Sequence, residues 1–247
     1  MKTIVHSINF YKKELNEMVK ELQTMPEGHL QKSGTSYKQR IGNKDIGISK
    51  NKPLIQRMCR KRFLIVRIKQ SKHNISTLSG DFGEFDFATP QEIIKNLPTT
   101  YQDFPKNYFY HPSIESWIEQ PVHVNSYPME SGWSYSNNGI PLRSKSETFI
   151  ANMLEKYDLP YHYDIATKLG NKTIYPDFLV KNPYTGKATI WEHFGALHDS
   201  EYEKKMDKKM AHYLDSGLIP LETMIYTFES DAKRPERLKY LIEKIIL

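Results

Sequence analysis

Apolar positions recur along this chain with two different periods, and the change of period separates its parts. In residues 4–23, Ile4, Ile8, Tyr11, Leu15, Met18, Val19 and Leu22 fall along one helical stripe with lysines and glutamates outside it, which predicts an amphipathic helix. Pro26-Glu27-Gly28 ends it. The stretch H-L-Q-K-S-G-T-S-Y-K-Q-R-I-G-N-K-D-I-G-I-S then predicts a polar β-hairpin or meander turning at Gly42-Asn43-Lys44-Asp45. Helical spacing returns over 53–71, from Pro53 through Leu54, Met58, Phe63, Leu64 and Ile68. A short helix is expected from Pro90 to Leu97. Beyond it Pro98, Pro105, Pro112, Pro121 and Pro128 punctuate an aromatic-rich region (Tyr101, Phe104, Tyr108, Phe109, Tyr110, Trp117, Tyr127, Trp133, Tyr135). Those rings read as loops covering a core, with stacking on unpaired bases as the alternative.

The Gly, Ser and Asn of S-G-W-S-Y-S-N-N-G-I-P put a boundary near 130–142, dividing an accessory region 1–135 from a domain 136–247. In the latter, a helix over 144–157 carries Phe149, Ile150, Met153, Leu154 and Tyr157 at amphipathic spacing. A strand follows at Tyr161–Thr167, and a turn through Gly170-Asn171 leads to a strand around Asp177. A second turn gives a strand ending at Phe194. A helix capped by Asp199 or Ser200 runs to Gly217, with Tyr202, Met206, Met210 and Leu214 as its apolar stripe. A strand at Thr223–Phe228 precedes a helix from Pro235 with Leu238, Leu241, Ile242, Ile245 and Ile246 inward. The fold class is α/β (α+β), a mixed sheet with helices on its faces.

Candidate chemistry lies in R-S-K-S-E-T-F-I-A, I-Y-P-D-F-L-V and T-I-W-E-H-F-G, which contain Glu147, Asp177 and Glu192. The last two segments read as a hairpin around N-P-Y-T-G. If its loop is centred between Tyr184 and Thr185, Asp177 lies directly across the ladder from Glu192. Opposed residues hold their Cβ atoms roughly 4.5–5.5 Å apart, where like charges repel. The pair therefore implies a bound cation or a shared proton, and Mg2+ is held by one or two carboxylates with waters and phosphates. Glu147 lies on the flank of its helix's buried face. Ser144-x-x-Glu147 is also a capping-box pattern, so cap and site both remain open for it.

A helix with an inward Glu, a strand, and P-D-F in a hairpin with W-E-H-F-G resembles the PD-(D/E)xK superfamily of restriction-endonuclease-like nucleases. The likeness is to a bacterial and phage-type branch reading R-S-K-S-E … Y-P-D-F … W-E-H-F-G … K … Y, and it covers about residues 140–230. It implies an αβββαβ core, Mg2+ (or Mn2+) held by Glu147, Asp177 and Glu192, phosphodiester hydrolysis, and DNA ahead of RNA as substrate. Many members work as dimers, which makes a homodimer an expectation by analogy. The superfamily pattern would put a Lys two residues after Glu192, where this chain has Phe194. Lys205, Lys209 and Tyr213 share one helix face by their spacing, and the branch's K…Y falls on Lys209 and Tyr213. Lys209 is the first candidate for the missing cation and Lys205 the second. His193 alternates to the face opposite Glu192 and ranks below Lys209, unless a bulge turns it round. His193 with His198 and Asp199 matches no ordinary helical zinc spacing.

Composition narrows the setting. The single cysteine, Cys59, excludes an intrachain disulfide framework and fits a reducing cytoplasm. No apolar run approaches the ~20 residues of a membrane span, so no membrane role is expected. Charge is uneven: residues 1–75 hold 17 Lys+Arg against 5 Asp+Glu, residues 76–130 hold 2 against 8, and the rest 16 against 16. A basic first third attracts polyanions. Arg57, Arg60, Lys61 and Arg62, continued by Arg67 and Lys69, form the densest positive cluster. With Lys38 and Arg40 of the meander, the first four are the expected backbone-phosphate contacts. No G-x-x-x-x-G-K-[ST] occurs, so no ATPase motif accompanies them. Two readings follow: a metal-dependent nuclease, or a catalytically silent nucleic-acid-binding or interaction protein retaining the fold.

Overall fold

The computed structural model describes residues 2–80, 83–123, 125, 134–195 and 200–247 of the chain. These divide into two compact units, 1–111 and 112–247. The division falls ahead of the Gly/Ser/Asn stretch at 130–142. The physical reason lies in residues 112–125, which belong to the second unit. There Trp117 packs on His162 with ring centroids 4.1 Å apart, and the Ala166 and Asn125 amides exchange backbone bonds with His123 O and Asp164 O. Tyr127, Pro128, Trp133, His198 and Asp199 lie outside the described residues.

The first unit opens with helix α1 (Lys2–Gln23) and the antiparallel meander β1 (His29–Ser33), β2 (Ser36–Ile41) and β3 (Lys44–Gly47). Helix α2 (Lys52–Leu78) runs about two turns past the expected end at residue 71. Short helices α3 (Pro90–Lys95) and α4 (Thr99–Gln102) and a 3-10 turn at Lys106–Phe109 complete it. Leu15, Val19 and Leu22 pack on buried Met18, Leu64 and Ile68. Gly28 fits because its φ is +72° and a Cβ there would lie 2.0 Å from Arg40 O.

The positive cluster of α2 fastens this corner. Arg57 donates to Thr24 O at 2.6 Å, and Lys61 Nζ to Pro26 O and Gly28 O at 2.7 and 2.8 Å. Long cationic side chains here satisfy carbonyls where α1 ends and the chain turns. Arg60 is buried, bonded through Nε and Nη2 to the Glu21 carboxylate and through Nη1 to Phe109 O. The expectation that Arg60 faces a phosphate backbone is therefore corrected, because its guanidinium points into the unit.

The second unit contains α5 (Ser113–Glu119), the pair β4 (Ser134–Tyr135) and β5 (Pro141–Leu142), α6 (Lys145–Lys156), β6 (Tyr161–Tyr163), β7 (Thr167–Leu169), β8 (Lys172–Ile174), β9 (Phe178–Lys181) and β10 (Ala188–Phe194). It continues with α7 (Ser200–Asp215), β11 (Met224–Phe228), α8 (Glu229–Ala232), and α9 (Pro235–Leu241) running into a π-turn at Ile242–Ile246. Four strands form one mixed sheet in the order β11-β10-β9-β6, with β10 parallel to β11 and the other neighbours antiparallel. One face carries Phe178, Val180, Trp191 and Ile225 into a core with Ile150, Leu154, Leu238 and Ile242. The opposite face carries Ile190 and Met224 against Tyr213 and Met210 of α7.

Three local expectations change. The strand expected over Tyr161–Thr167 stops at Tyr163, because Asp164 takes a left-handed φ of 49° and Thr167–Leu169 pairs in a separate hairpin with β8. The strand around Asp177 begins only at Phe178, after Pro176, which has no N–H for a ladder. Helix α7 is rotated from its expected stripe: Tyr213 is fully buried and Leu214 is about half exposed.

Glu21 and Arg60 supply the test of this unit. Truncating one partner of a buried pair leaves the other charge uncompensated, at a cost of about 3 kcal/mol. Glu21→Ala should lower the urea midpoint accordingly, and a midpoint equal to that of the native chain would show that Arg60 needs no partner.

Candidate functional site

The β9–β10 ladder has the symmetric register expected from its loop: Lys181 faces Ala188, Val180 faces Thr189, Leu179 faces Ile190 and Phe178 faces Trp191. The turn forms because Asn182 Oδ1 accepts from the Tyr184 and Thr185 amides, while Gly186 takes a φ of +72°. One step past Phe178 and Trp191, Asp177 stands across from Glu192. On its other side β6 pairs with β9, Tyr163 facing Phe178, and the Asp164 amide donates to Asp177 O at 3.0 Å. Asp164, just after β6, Asp177, just before β9, and Glu192 of β10 thus follow one another in a row across the sheet. Asp164 was legible only by applying the same register arithmetic to the second ladder, which the longer strand expected at Tyr161–Thr167 concealed.

Glu192 is 1% exposed and fully partnered. Lys209 Nζ donates to its Oε2 at 2.6 Å, and the Tyr213 hydroxyl donates to its Oε1. Both donors come from the face of α7 on which Lys205, Lys209 and Tyr213 were aligned. Lys205, one turn earlier, is exposed and has no such bond among the described contacts. Burial and the Tyr213–Glu192 contact push the Tyr213 phenol well above its ordinary value. Asp177 accepts from the His193 amide, N to Oδ2 2.6 Å. Burial first, and the Glu192 charge second, raise its carboxyl from the usual range to about 7, with Lys209 and the His193 amide opposing.

Glu147 is both a cap and a neighbour of this row. Its Oε2 accepts from the Arg143 amide at 3.0 Å, the Ser144 amide at 3.2 Å and the Tyr163 hydroxyl at 2.7 Å, while the Ser144 hydroxyl accepts from the Glu147 amide. Burial raises the Glu147 carboxyl, and the Asp177 charge adds to that rise. The His193 ring lies on the Trp191 face, with Nδ1 3.2 Å from Thr227 Oγ1 and Nε2 3.5 Å from Glu229 Oε2. Burial lowers its pKa. Only its backbone N–H reaches Asp177, as the alternation of side chains along a strand requires.

Among the described residues no three His, Cys, Asp or Glu side chains are grouped so that they could hold a metal ion. Asp177 and Glu192 offer two hard carboxylates, and Mg2+ needs no more than one or two from protein when water and substrate oxygens fill the rest. Burial first and the Glu192 charge second hold the Asp177 pKa up, and the two carboxylates are hard oxygen donors of the kind Mg2+ takes.

In the first unit, Arg57 is exposed, Lys61 and Arg62 are half-buried, and Arg60 is buried. Arg40 grips Asp45 through two bonds, and Lys38 Nζ lies 3.9 Å from the same carboxylate. Lys44, Lys50, Lys52, Lys69 and Lys72 are exposed.

No family model matches the chain, and no solved structure matches it. An uncharacterized protein of Methanocaldococcus jannaschii is similar to it, 28% identical over 81 residues. That stretch is 32% of this chain and 7% of the relative, so the chain spans a small part of that protein's length. Among the described residues no helix is long and apolar enough to cross a membrane.

The Asp177 pKa fixes a sign. A carboxyl raised in the fold binds its proton more tightly there than in the unfolded chain. Its stabilising contribution is present below about pH 4 and is lost as pH rises to about 7. In EDTA, Asp177→Asn should therefore have a higher Tm than the native chain at pH 8, with the advantage shrinking towards pH 5. Thermal unfolding at the two pH values checks this, and an advantage that grows at pH 5 would refute the crowding of Asp177 by Glu192.

Proposed function

We propose that the second unit is a Mg2+- or Mn2+-dependent phosphodiesterase, an endonuclease acting on DNA, built on a restriction-endonuclease-like αβββαβ core. The observation that carries this reading is the pairing of Asp177 with Glu192 at adjacent strand ends, with Lys209 bonded to Glu192 from α7. The order α6, β6, β9, β10, α7, β11, with β11 parallel to β10, supports the same core.

In this mechanism Asp177 and Glu192 hold the dication and Glu147 adds negative charge from the start of α6. The ion, when bound, supplies Lewis-acid stabilisation of the phosphate oxygens and an activated water. Lys209 stands in for the lysine that Phe194 replaces in sequence and offsets charge developing on the phosphate. Tyr213 holds Glu192 in one orientation. The exposed lysines of the first unit add sequence-independent affinity for the polyanion. A silent nucleic-acid-binding protein on the same fold is the second reading, favoured by one observation: both Glu192 oxygens already have partners in Lys209 and Tyr213.

A plasmid-nicking assay in Mg2+ and in EDTA separates the two. The native chain should nick only with Mg2+, Asp177→Ala should not nick at all, and Lys209→Ala should lose about a hundredfold in rate. Equal behaviour of the native chain and Asp177→Ala would favour the silent reading. Glu147→Gln divides the roles of that residue, since Gln serves a capping box as well as Glu. Its Tm should match the native value while nicking falls about tenfold or more, and undiminished nicking would leave Glu147 a cap alone.

A further inference from the structure

Asp164 poses a problem that the row of acids sharpens. It is 4% exposed, its amide is bonded to Asp177 O, and burial raises its carboxyl above the usual carboxylate range. It also takes a left-handed φ of 49°, a conformation that glycine adopts without strain. Backbone geometry alone therefore does not call for an acid. What the acid does is hold a cation. Its Oδ2 accepts from Arg143 Nη2, and its Oδ1 accepts from Asn125 Nδ2 at 3.3 Å. Arg143 stands immediately before the Ser144 cap of α6, and its amide donates to Glu147 Oε2. Its side chain stays 38% exposed while the side chain of Asp164 is 6% exposed. Lys209 repeats the arrangement, 36% exposed and tied to a Glu192 that is 1% exposed. Lys209 also lies near enough to Asp164 to pull its carboxyl down against burial.

We infer that Arg143 and Lys209 together form a phosphodiester-binding site flanking Asp177, with Arg143 contacting a backbone phosphate and Asp164 acting as its positioning residue. This rests on the phosphodiesterase reading for the identity of the ligand, but not on catalysis. A guanidinium presents five N–H donors in a planar fork that matches phosphate oxygens. Anchoring the guanidinium on a buried carboxylate holds a side chain that is 38% exposed, so little side-chain freedom is lost on binding. Arg143 and Lys209 also offset part of the acidic charge of Asp164, Asp177, Glu192 and Glu147, which leaves a deficit of two charges for a dication to meet.

The test is binding, not cleavage. A fluorescein-labelled DNA duplex is titrated with the full-length chain in Ca2+, a hard dication used in place of Mg2+, across a series of salt concentrations. Arg143→Ala should bind about tenfold more weakly, and its slope of log affinity against log salt should fall by about one. Arg143→Lys should restore the slope without the full affinity. Asp164→Asn, which tolerates the left-handed backbone, should keep the slope and lose a fewfold in affinity. Affinity and slope for Arg143→Ala equal to those of the native chain would overturn the inference, as would a slope for Arg143→Lys as low as for Arg143→Ala. Asp164→Asn indistinguishable from the native chain would overturn the positioning role. A native chain that shows this slope change but never nicks in Mg2+ would refute the nuclease reading and leave the phosphate site standing.

Discussion

Like charge crowded at the ends of neighbouring strands is the constraint from which the second unit takes its form. Antiparallel pairing of β9 with β10 sets Asp177 beside Glu192, and the chain leaving β6 follows on, the Asp164 amide bonded to Asp177 O. Side chains directly opposed on a ladder cannot retreat from one another, because the backbone fixes their Cβ spacing. The surroundings supply the compensation. Lys209 and Tyr213 turn inward on α7 to reach Glu192, at the expense of leaving Leu214 in water. The His193 amide turns to Asp177, and Arg143 is drawn from the start of α6 to Asp164. Asp177 alone has no cationic partner bonded to it among the described contacts. It is also the carboxyl whose proton is held to about pH 7.

The first unit shows why charge counted along a sequence is not charge on a surface. The run from Arg57 to Arg62 is dense in cations, but helical spacing distributes them around α2. Arg60 is buried against Glu21, and Arg57 and Lys61 end on carbonyls of the Thr24–Gly28 corner. Arg40 and Lys38 share Asp45. The surface that remains positive includes lysines at turns and helix flanks, Lys44, Lys50, Lys52, Lys69 and Lys72, which are exposed.

What was legible in the sequence was whatever depends on a fixed period. The hairpin register followed from the position of N-P-Y-T-G, and the facing of Asp177 and Glu192 followed from the register. The alignment of Lys205, Lys209 and Tyr213 followed from 3.6 residues per turn, and so did the helices α1, α6 and α9. What was not legible depends on where a period breaks. No pattern in Y-H-Y-D-I-A-T announces that Asp164 leaves the extended region, so the strand appeared to continue to Thr167 and the third acid of the row went unread. Nor does an apolar stripe reveal that a tyrosine will displace a leucine from the core, since the deciding interaction is the distant Glu192. Arg143 stood in view within R-S-K-S-E, but its role needs the position of Asp164.

Two phenols complete the argument about charge. Tyr163 donates to Glu147 and Tyr213 donates to Glu192, and burial together with the adjacent carboxylate pushes both phenols well above their ordinary values. Each therefore remains a neutral donor over the whole range in which the carboxylates ionise. A lysine in either place would hold its acid equally well but would cancel the negative charge. A phenol fixes the orientation of the carboxylate and leaves its charge available. At Glu147, where among the described contacts no cationic side chain is bonded to the carboxylate, orientation and charge are separated in this way. At Glu192 Lys209 adds a positive charge beside the phenol, so the attraction for a dication comes from Glu147 and Asp177 as well as from Glu192.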